Sequence, residues 1–264
     1  MEPVPGAATF QTSGEAYDSF MGRYSRPLAE KFADFAGIVG GQRALDVGCG
    51  PGALTRVLVD RLGVAAVAAI DPSSPFVAEC SAAWPGADVA LARAEAIPFD
   101  DDSFDVALAQ LVLHFVSDPS VVAGELRRVV RPGGTVAACV WDFEAGMAML
   151  RHFWDEALTV DPQAPDEATV MRFGRPGEIG ELFEGAGLED TIESTLQVEV
   201  RYSSFDELWS GFLAGIGPAG SYCVSLDEGR RASIRDGMFR SIGEPTGSFE
   251  LAAVARTARA FVPG

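Results

Sequence analysis

The run Ala44-Leu45-Asp46-Val47-Gly48-Cys49-Gly50-Pro51-Gly52-Ala53-Leu54-Thr55 decides how the rest of the chain is read. A short apolar strand stops, three glycines alternate, and a helix begins. Glycine carries no Cβ, so a ligand can lie against bare backbone and the turn can adopt positive φ. The helix start adds free N–H donors and the positive end of the helix dipole. Leu54, Val57, Leu58 and Leu62 then share one helix face. Residues 64–70 form a continuous apolar run after Gly63, which reads as a strand buried on both faces. That run ends at Asp71, where a carboxylate can accept both hydroxyls of a ribose.

The same alternation continues outward. Residues 75–83 and 121–130 have helical patterns, and residues 88–91, 104–109 and 135–141 read as strands, the last entered through Gly133-Gly134. Alternating strands and helices imply a parallel sheet with right-handed crossovers. On the N-terminal side, Phe20, Tyr24, Leu28 and Phe32 recur at helical spacing, with Pro27 interrupting; the pattern predicts two helices broken near Ser25-Arg26-Pro27. After Asp142 the rhythm changes. Residues 176–186 read as a helix, Leu196, Val198 and Val200 alternate as in a half-covered strand, and residues 249–261 read as a final strand. Residues 144–175 and 204–246 are read as two insertions lying over one end of the sheet.

Composition narrows the function. The 264 residues are 48% apolar and 22% charged, as in a globular chain. No apolar stretch reaches the ~18 residues of a membrane span, and no N-terminal signal pattern is seen, so a cytoplasmic protein without a membrane partner is expected. The net charge of −18 repels phosphate backbones and disfavours nucleic acid as a partner. Four cysteines without a C-x-x-C pair point to reduced thiols, and the two histidines stand at no metal-ligand spacing, so no metal is expected.

The glycines with Asp71 point to a nucleoside-containing ligand. Gly48-x-Gly50-x-x-Ala53 also satisfies the dinucleotide fingerprint. Yet Asp46 and Asp71 both approach the pocket, few basic residues lie near, and Pro51 removes an N–H that a pyrophosphate would use. A cationic ligand suits such a pocket better.

At this point the string resembles motif I of class I S-adenosylmethionine-dependent methyltransferases. Glu95-Ala96-Ile97-Pro98-Phe99-Asp100-Asp101-Asp102-Ser103-Phe104-Asp105-Val106 resembles a further family segment, residues 110–114 the end of the motif IV strand, and residues 126–134 the helix and turn before strand five. The likeness covers residues 42–142 and is nearest the small-molecule, methyltransferase type 11 branch that includes quinone-biosynthesis C-methyltransferases. It implies a single domain of α/β class: a Rossmann-like, doubly wound, seven-stranded, mostly parallel sheet with helices on both faces and helical lid insertions. Residues 10–40 would be N-terminal capping helices, 42–142 the cofactor-binding core, and 144–175 and 204–246 the lid.

The resemblance also implies roles. S-adenosyl-L-methionine would be the cofactor and S-adenosyl-L-homocysteine the product. Gly48, Gly50 and Gly52 would line its methionine and ribose portion, Asp46 would hold the ammonium, and Asp71 the ribose hydroxyls. Pro72, Ala94 and Glu95 would lie at the adenine, and Gln110 and Leu111 at the methionine end. Tyr17, Met21 and Arg23 would close over it, Arg23 at its carboxylate. One departure is Arg93, where the family often has Asp.

Methyl transfer asks mainly for positioning, and a base matters only where the acceptor loses a proton. His114 and His152 are the candidate bases, each with a competing reading as a packed histidine. Trp141, Phe153, Trp154, Trp209, Phe212 and Tyr222 are candidates for lining a pocket for a small apolar or aromatic acceptor. The sequence leaves the acceptor and the oligomeric state open. The competing functions are a nicotinamide-dependent oxidoreductase and a non-catalytic, cofactor-binding regulatory protein.

Overall fold

The structure is a computed structural model and describes residues 21–264. Its frame is a seven-stranded sheet: β1 (Ala44–Val47), β2 (Val67–Asp71), β3 (Asp88–Leu91), β4 (Phe104–Gln110), β5 (Val130–Trp141), β6 (Glu189–Tyr202) and β7 (Phe249–Phe261). The order across the sheet is β3-β2-β1-β4-β5-β7-β6. The first five strands pair in parallel, and β7 pairs antiparallel with both β5 and β6. β1, β2 and most of β4 are buried along their whole length, as sequences without polar alternation require when helices cover both faces. The order reverses between β1 and β4. Ligands of open α/β sheets bind at such a switch point, beyond the carboxyl ends of the strands.

Helices α1 (Arg23–Ala36) and α2 (Ala53–Leu62) cover one face; α3 (Ser74–Ala83) leans on β2 and β3, and α4 (Pro119–Val129) covers the other face. Asp118 starts α4 by accepting the N–H groups of Ser120 and Val121, with Pro119 in the first turn, where its missing N–H is harmless. After β5 come α5 (Ala148–Val160), α6 (Glu167–Val170) and α7 (Glu178–Gly185), and after β6 come α8 (Phe205–Leu213), α9 (Gly217–Ser225) and α10 (Glu228–Ser241). Residues of α5, α8, α9 and α10 join those of α1 in one continuous apolar cluster. The Tyr24 and Tyr202 hydroxyls meet at 2.9 Å inside it and tie α1 to β6. Among the described residues no helix is long and apolar enough to cross a membrane.

Three local expectations are corrected. α1 is a single helix running through Pro27. One lost helix hydrogen bond is outweighed by the complete burial of Tyr24, Leu28 and Phe32 on the same face. The apolar run at 64–70 begins as a 3-10 turn, Val64–Ala66, and only Val67 onward enters the sheet. Finally, β5 starts at Val130, opposite Phe104. Gly133-Gly134 lies within an irregular stretch of this strand, because the register resumes only at Val106 and Thr135.

Candidate cofactor cleft

A cleft of about 790 Å³ opens where β1, β2 and β4 end, within the size range of small-molecule sites. Asp46, Gly48, Gly50, Asp71, Pro72, Ala94, Glu95, Gln110 and Leu111 all line it.

The turn after β1 is held by its own backbone. The N–H groups of Gly48 and Cys49 both donate to the Ile70 carbonyl, at 2.8 and 2.9 Å. Gly50, at φ 53°, donates its N–H to Asp71 Oδ2 at 2.9 Å, and Ser73 N–H donates to Asp71 Oδ1 at 2.8 Å. A carboxylate has about four acceptor sites, so Asp71 keeps capacity on both oxygens. A Cβ at Gly50 would meet nothing within 4 Å, which leaves bare backbone facing the cleft. Gly52 differs: it does not line the cleft, and a Cβ there would run into the Trp84 ring. It serves the start of α2 rather than the ligand side.

Asp46 is almost completely buried. Its Oδ2 accepts the Thr55 hydroxyl at 2.6 Å, and Thr55 in turn accepts the Cys80 thiol. Burial pushes the Asp46 carboxyl up to about 7, with the charge of Asp71 adding to the effect and the Thr55 hydrogen bonds opposing it. Burial also raises Asp71, against the two backbone N–H groups it accepts. Cys49 lines the cleft as well. A hydrogen bond with Cys80, burial and the two nearby carboxylates raise its thiol, so it stays protonated and is no nucleophile.

At the end of β4, Gln110 donates Nε2–H to the Ser25 carbonyl at 3.1 Å. Its Oε1 and Asp46 Oδ1 are buried acceptors without a partner among the described residues. Such atoms are costly unless something donates to them, and both sit on the cleft wall. A ligand carrying an ammonium and ribose hydroxyls supplies donors to these oxygens and to Asp71, so the residues fit S-adenosylmethionine. Leu111 follows at φ 63°, a left-handed conformation uncommon for a branched residue and often found at functional sites. Glu95 accepts the Ser117 N–H at 2.8 Å, with the Arg93 guanidinium alongside. Burial raises its carboxyl, but these contacts bring it below the usual range overall. Arg93, the departure from the family pattern, itself lines the cleft.

The remaining candidates lie elsewhere. Tyr17 is outside the described residues. Arg23 does not line the cleft; its guanidinium pairs with Glu207 at 2.8 Å and lies over the Tyr202 ring. Met21 and His114 line a second, smaller chamber of about 30 Å³, which shares Leu111 and Phe115 with the cleft. His114 is fully buried against Phe115 and Phe143, and burial together with the Arg172 charge lowers it to about 3, leaving it neutral and a poor proton acceptor. His152 lines neither cavity; its Nδ1 meets Ser241 Oγ at 2.9 Å between α5 and α10. Of the six aromatics expected around an acceptor, only Trp141 lines the chamber. Phe153 stacks on Phe212 at 4.5 Å, Trp209 and Tyr222 join them, and Trp154 is buried with its indole N–H on Glu167. They are the core of the helical layer, because aromatic faces of that size bury more surface against each other than they could against a small cavity.

Sequence reasoning missed Ser25, Phe115 and Ser117 on the cleft wall and Glu167 in the chamber. Phe115 and Ser117 could have been found from their place directly after the motif IV strand. Glu167 gave no signal, because a Glu beside Asp166 in a short polar run reads as solvated.

The strand order, the glycine turn at the switch point and the acidic end of β2 define a Rossmann-like, nucleoside-binding fold. Residues 45–138 match the model of a family described as methyltransferase domain. The chain carries a class I S-adenosylmethionine-dependent methyltransferase domain over that segment. It is 34% identical over 135 residues to malonyl-[acyl-carrier protein] O-methyltransferase of Pseudescherichia vulneris, covering 50% of this chain and 51% of that protein. It is 42% identical over 101 residues to an uncharacterized methyltransferase of Mycobacterium tuberculosis, covering 38% and 40%. The chain thus spans about half the length of the curated relatives it matches. Among solved structures it resembles a methyltransferase from Bacillus halodurans, with TM-score 0.59, 15% identity and coverage of 89% of this chain and 99% of that one. It also resembles Haemonchus contortus phosphoethanolamine N-methyltransferase 2 in complex with S-adenosyl-L-methionine, with TM-score 0.58, 15% identity and coverage of 97% and 58%. At such identities the structural likeness speaks for the fold alone.

Proposed function

We propose that the protein transfers a methyl group from S-adenosyl-L-methionine to a small organic acceptor by in-line displacement. The observation that carries this reading is a pair of buried acceptors with no partner among the described residues, Asp46 Oδ1 and Gln110 Oε1, on the wall of a cleft that Asp71 also lines. When bound, the cofactor supplies an electrophilic methyl group whose leaving atom departs as a neutral thioether. The chain's own work is positioning, which can supply up to roughly 7–11 kcal/mol of the barrier. Asp71 holds the ribose hydroxyls, with Gly50 and Ser73 fixing its carboxylate from behind. Pro72, Ala94 and Glu95 flank the adenine. Asp46 and Gln110 take the ammonium end, and Leu111 lines both the cleft and the chamber. The helices of residues 144–175 and 204–246 act as the lid on the acceptor side.

Titration calorimetry tests this directly. S-adenosylmethionine is expected to bind, NADH is not, and Asp71→Ala is expected to weaken the cofactor by ~1–3 kcal/mol through lost hydrogen bonds. Binding of NADH in preference to S-adenosylmethionine would overturn the reading in favour of an oxidoreductase.

A further inference from the structure

The small chamber behind Leu111 is built mostly of apolar side chains, among them Met21, Phe115, Trp141, Phe143 and Leu150. Three polar atoms break that pattern. His114 Nδ1 and Trp141 Nε1 are buried without a partner among the described residues. Glu167 is only 5% exposed. Its Oε2 accepts the Trp154 indole N–H at 2.9 Å, and its Oε1 has no hydrogen-bond partner among the described residues. The cation that acts on this carboxyl, Arg151, is held by Asp166 at 2.8 Å and Asp155 at 2.6 Å. Among the described residues no arginine or lysine lines the chamber.

A buried carboxyl without a cation is costly when ionised. Burial accordingly pushes Glu167 up to about 7, with Asp166 adding to the rise and Trp154 and Arg151 opposing it. An entering cation would offset that cost, whereas an entering carboxylate or phosphate would face Glu167, with the charge of Arg172, which acts on His114 in the chamber wall, offsetting part of the repulsion. Aromatic side chains beside a carboxylate are also favourable company for an ammonium.

Resting on the cofactor reading of the adjoining cleft, we propose that this chamber is the acceptor's head-group site and that the acceptor is an amine with an apolar body, held and deprotonated by Glu167. At about 30 Å³ the chamber takes a small head group, and Leu111 and Phe115 form the wall it shares with the cleft, across which the nitrogen meets the methyl donor. The ammonium nitrogen gives one proton to the Glu167 carboxylate. Its freed lone pair forms the bond to the methyl carbon as the carbon–sulfur bond breaks, the electron pair going to sulfur. The proton later leaves Glu167 to solvent.

The test uses the full chain loaded with S-adenosylhomocysteine. Ligand-observed NMR compares a panel of alkyl and aryl amines with alcohols and carboxylates of the same bodies, 2-phenylethylamine, 2-phenylethanol and phenylacetate among them. Amines are expected to bind best and carboxylates worst. Glu167→Gln keeps an acceptor for the Trp154 N–H; it is expected to retain S-adenosylhomocysteine affinity within about twofold, lose amine affinity by about tenfold or more, and lower kcat for any methylated amine by roughly 10²–10⁴-fold. The proposal is overturned if loaded protein prefers carboxylates, binds matched alcohols as well as amines, binds no amine of the panel, or binds amines equally well with Glu167→Gln. Failure to bind S-adenosylhomocysteine at all would instead bring down the cofactor reading, and this one with it.

Discussion

Residues 44–111 and residues 148–241 bury their apolar surface by different means. In the first region the work is done by backbone: short buried strands stop together, and a glycine turn, Asp71 and Gln110 gather at their ends around an open cleft. In the second it is done by rings. Phe153, Trp154, Phe212 and Tyr222 pack on one another, and the region gives Leu150, Glu167 and residues 216–219 to the small chamber at the end of β5. The contrast separates two kinds of importance. Substitutions in the helical layer should change whether the chain folds, and substitutions at the strand ends should change what the folded chain binds.

The largest effect that would test this division is Phe153→Ala. Removing a fully buried ring stacked on Phe212 is expected to cost ~3–5 kcal/mol in urea unfolding, while the folded fraction keeps its S-adenosylmethionine Kd. A changed Kd would mean the layer shapes the cleft directly. Next in size is a pair within the glycine turn. Gly52→Ala adds roughly 1–2 kcal/mol of left-handed strain to an overpacking cost of ~1–3 kcal/mol against Trp84. Gly50→Ala carries the strain alone, but its methyl projects into the cleft and should weaken the cofactor. Equal urea midpoints for the two variants would contradict their different surroundings.

A third prediction sharpens the role of Asp46. Burial raises its carboxyl to about 7, so the folded protein holds a proton that the unfolded chain releases nearer the usual carboxylate range. Its contribution to stability is therefore fully present at acid pH and is lost as pH rises toward 7. A ligand ammonium favours the ionised form and expels that proton. S-adenosylmethionine affinity should thus rise with pH, by at most about tenfold per unit, and level off above about 7. Calorimetry across pH 5–8 reads this slope (roughly the span around the raised value). 5′-Methylthioadenosine, which lacks the ammonium, should show no slope, as should Asp46→Asn. Smallest of all, His152→Ala at a half-exposed contact with Ser241 is expected to shift stability by no more than ~0.5 kcal/mol and leave turnover unchanged.

What could be read from the chain divides along the same line. The strands of the first region and the residues at their ends were legible because each local signal, whether glycine, apolar run or terminal acid, has a direct backbone meaning. Three-dimensional packing decided the rest. Pro27 reads as a break, yet it sits inside α1 because its neighbours are locked into the core. The aromatics of the helical layer read as a pocket lining, since composition does not reveal whether a ring faces another ring or a void. Glu167 reads as a surface acid, and only the fold puts it behind Leu111, beside the indole of Trp154.

The place of β7 has a consequence for how the chain is made. β6 finds its sheet neighbour in β7, and β7 is translated after it. Until residues 249–261 have left the ribosome, the fourteen residues of β6 lack the strand they pair with in the finished sheet. The growing polypeptide therefore completes its sheet by late insertion rather than by adding strands in the order of synthesis. A polypeptide stalled before that insertion would be a natural client for chaperones.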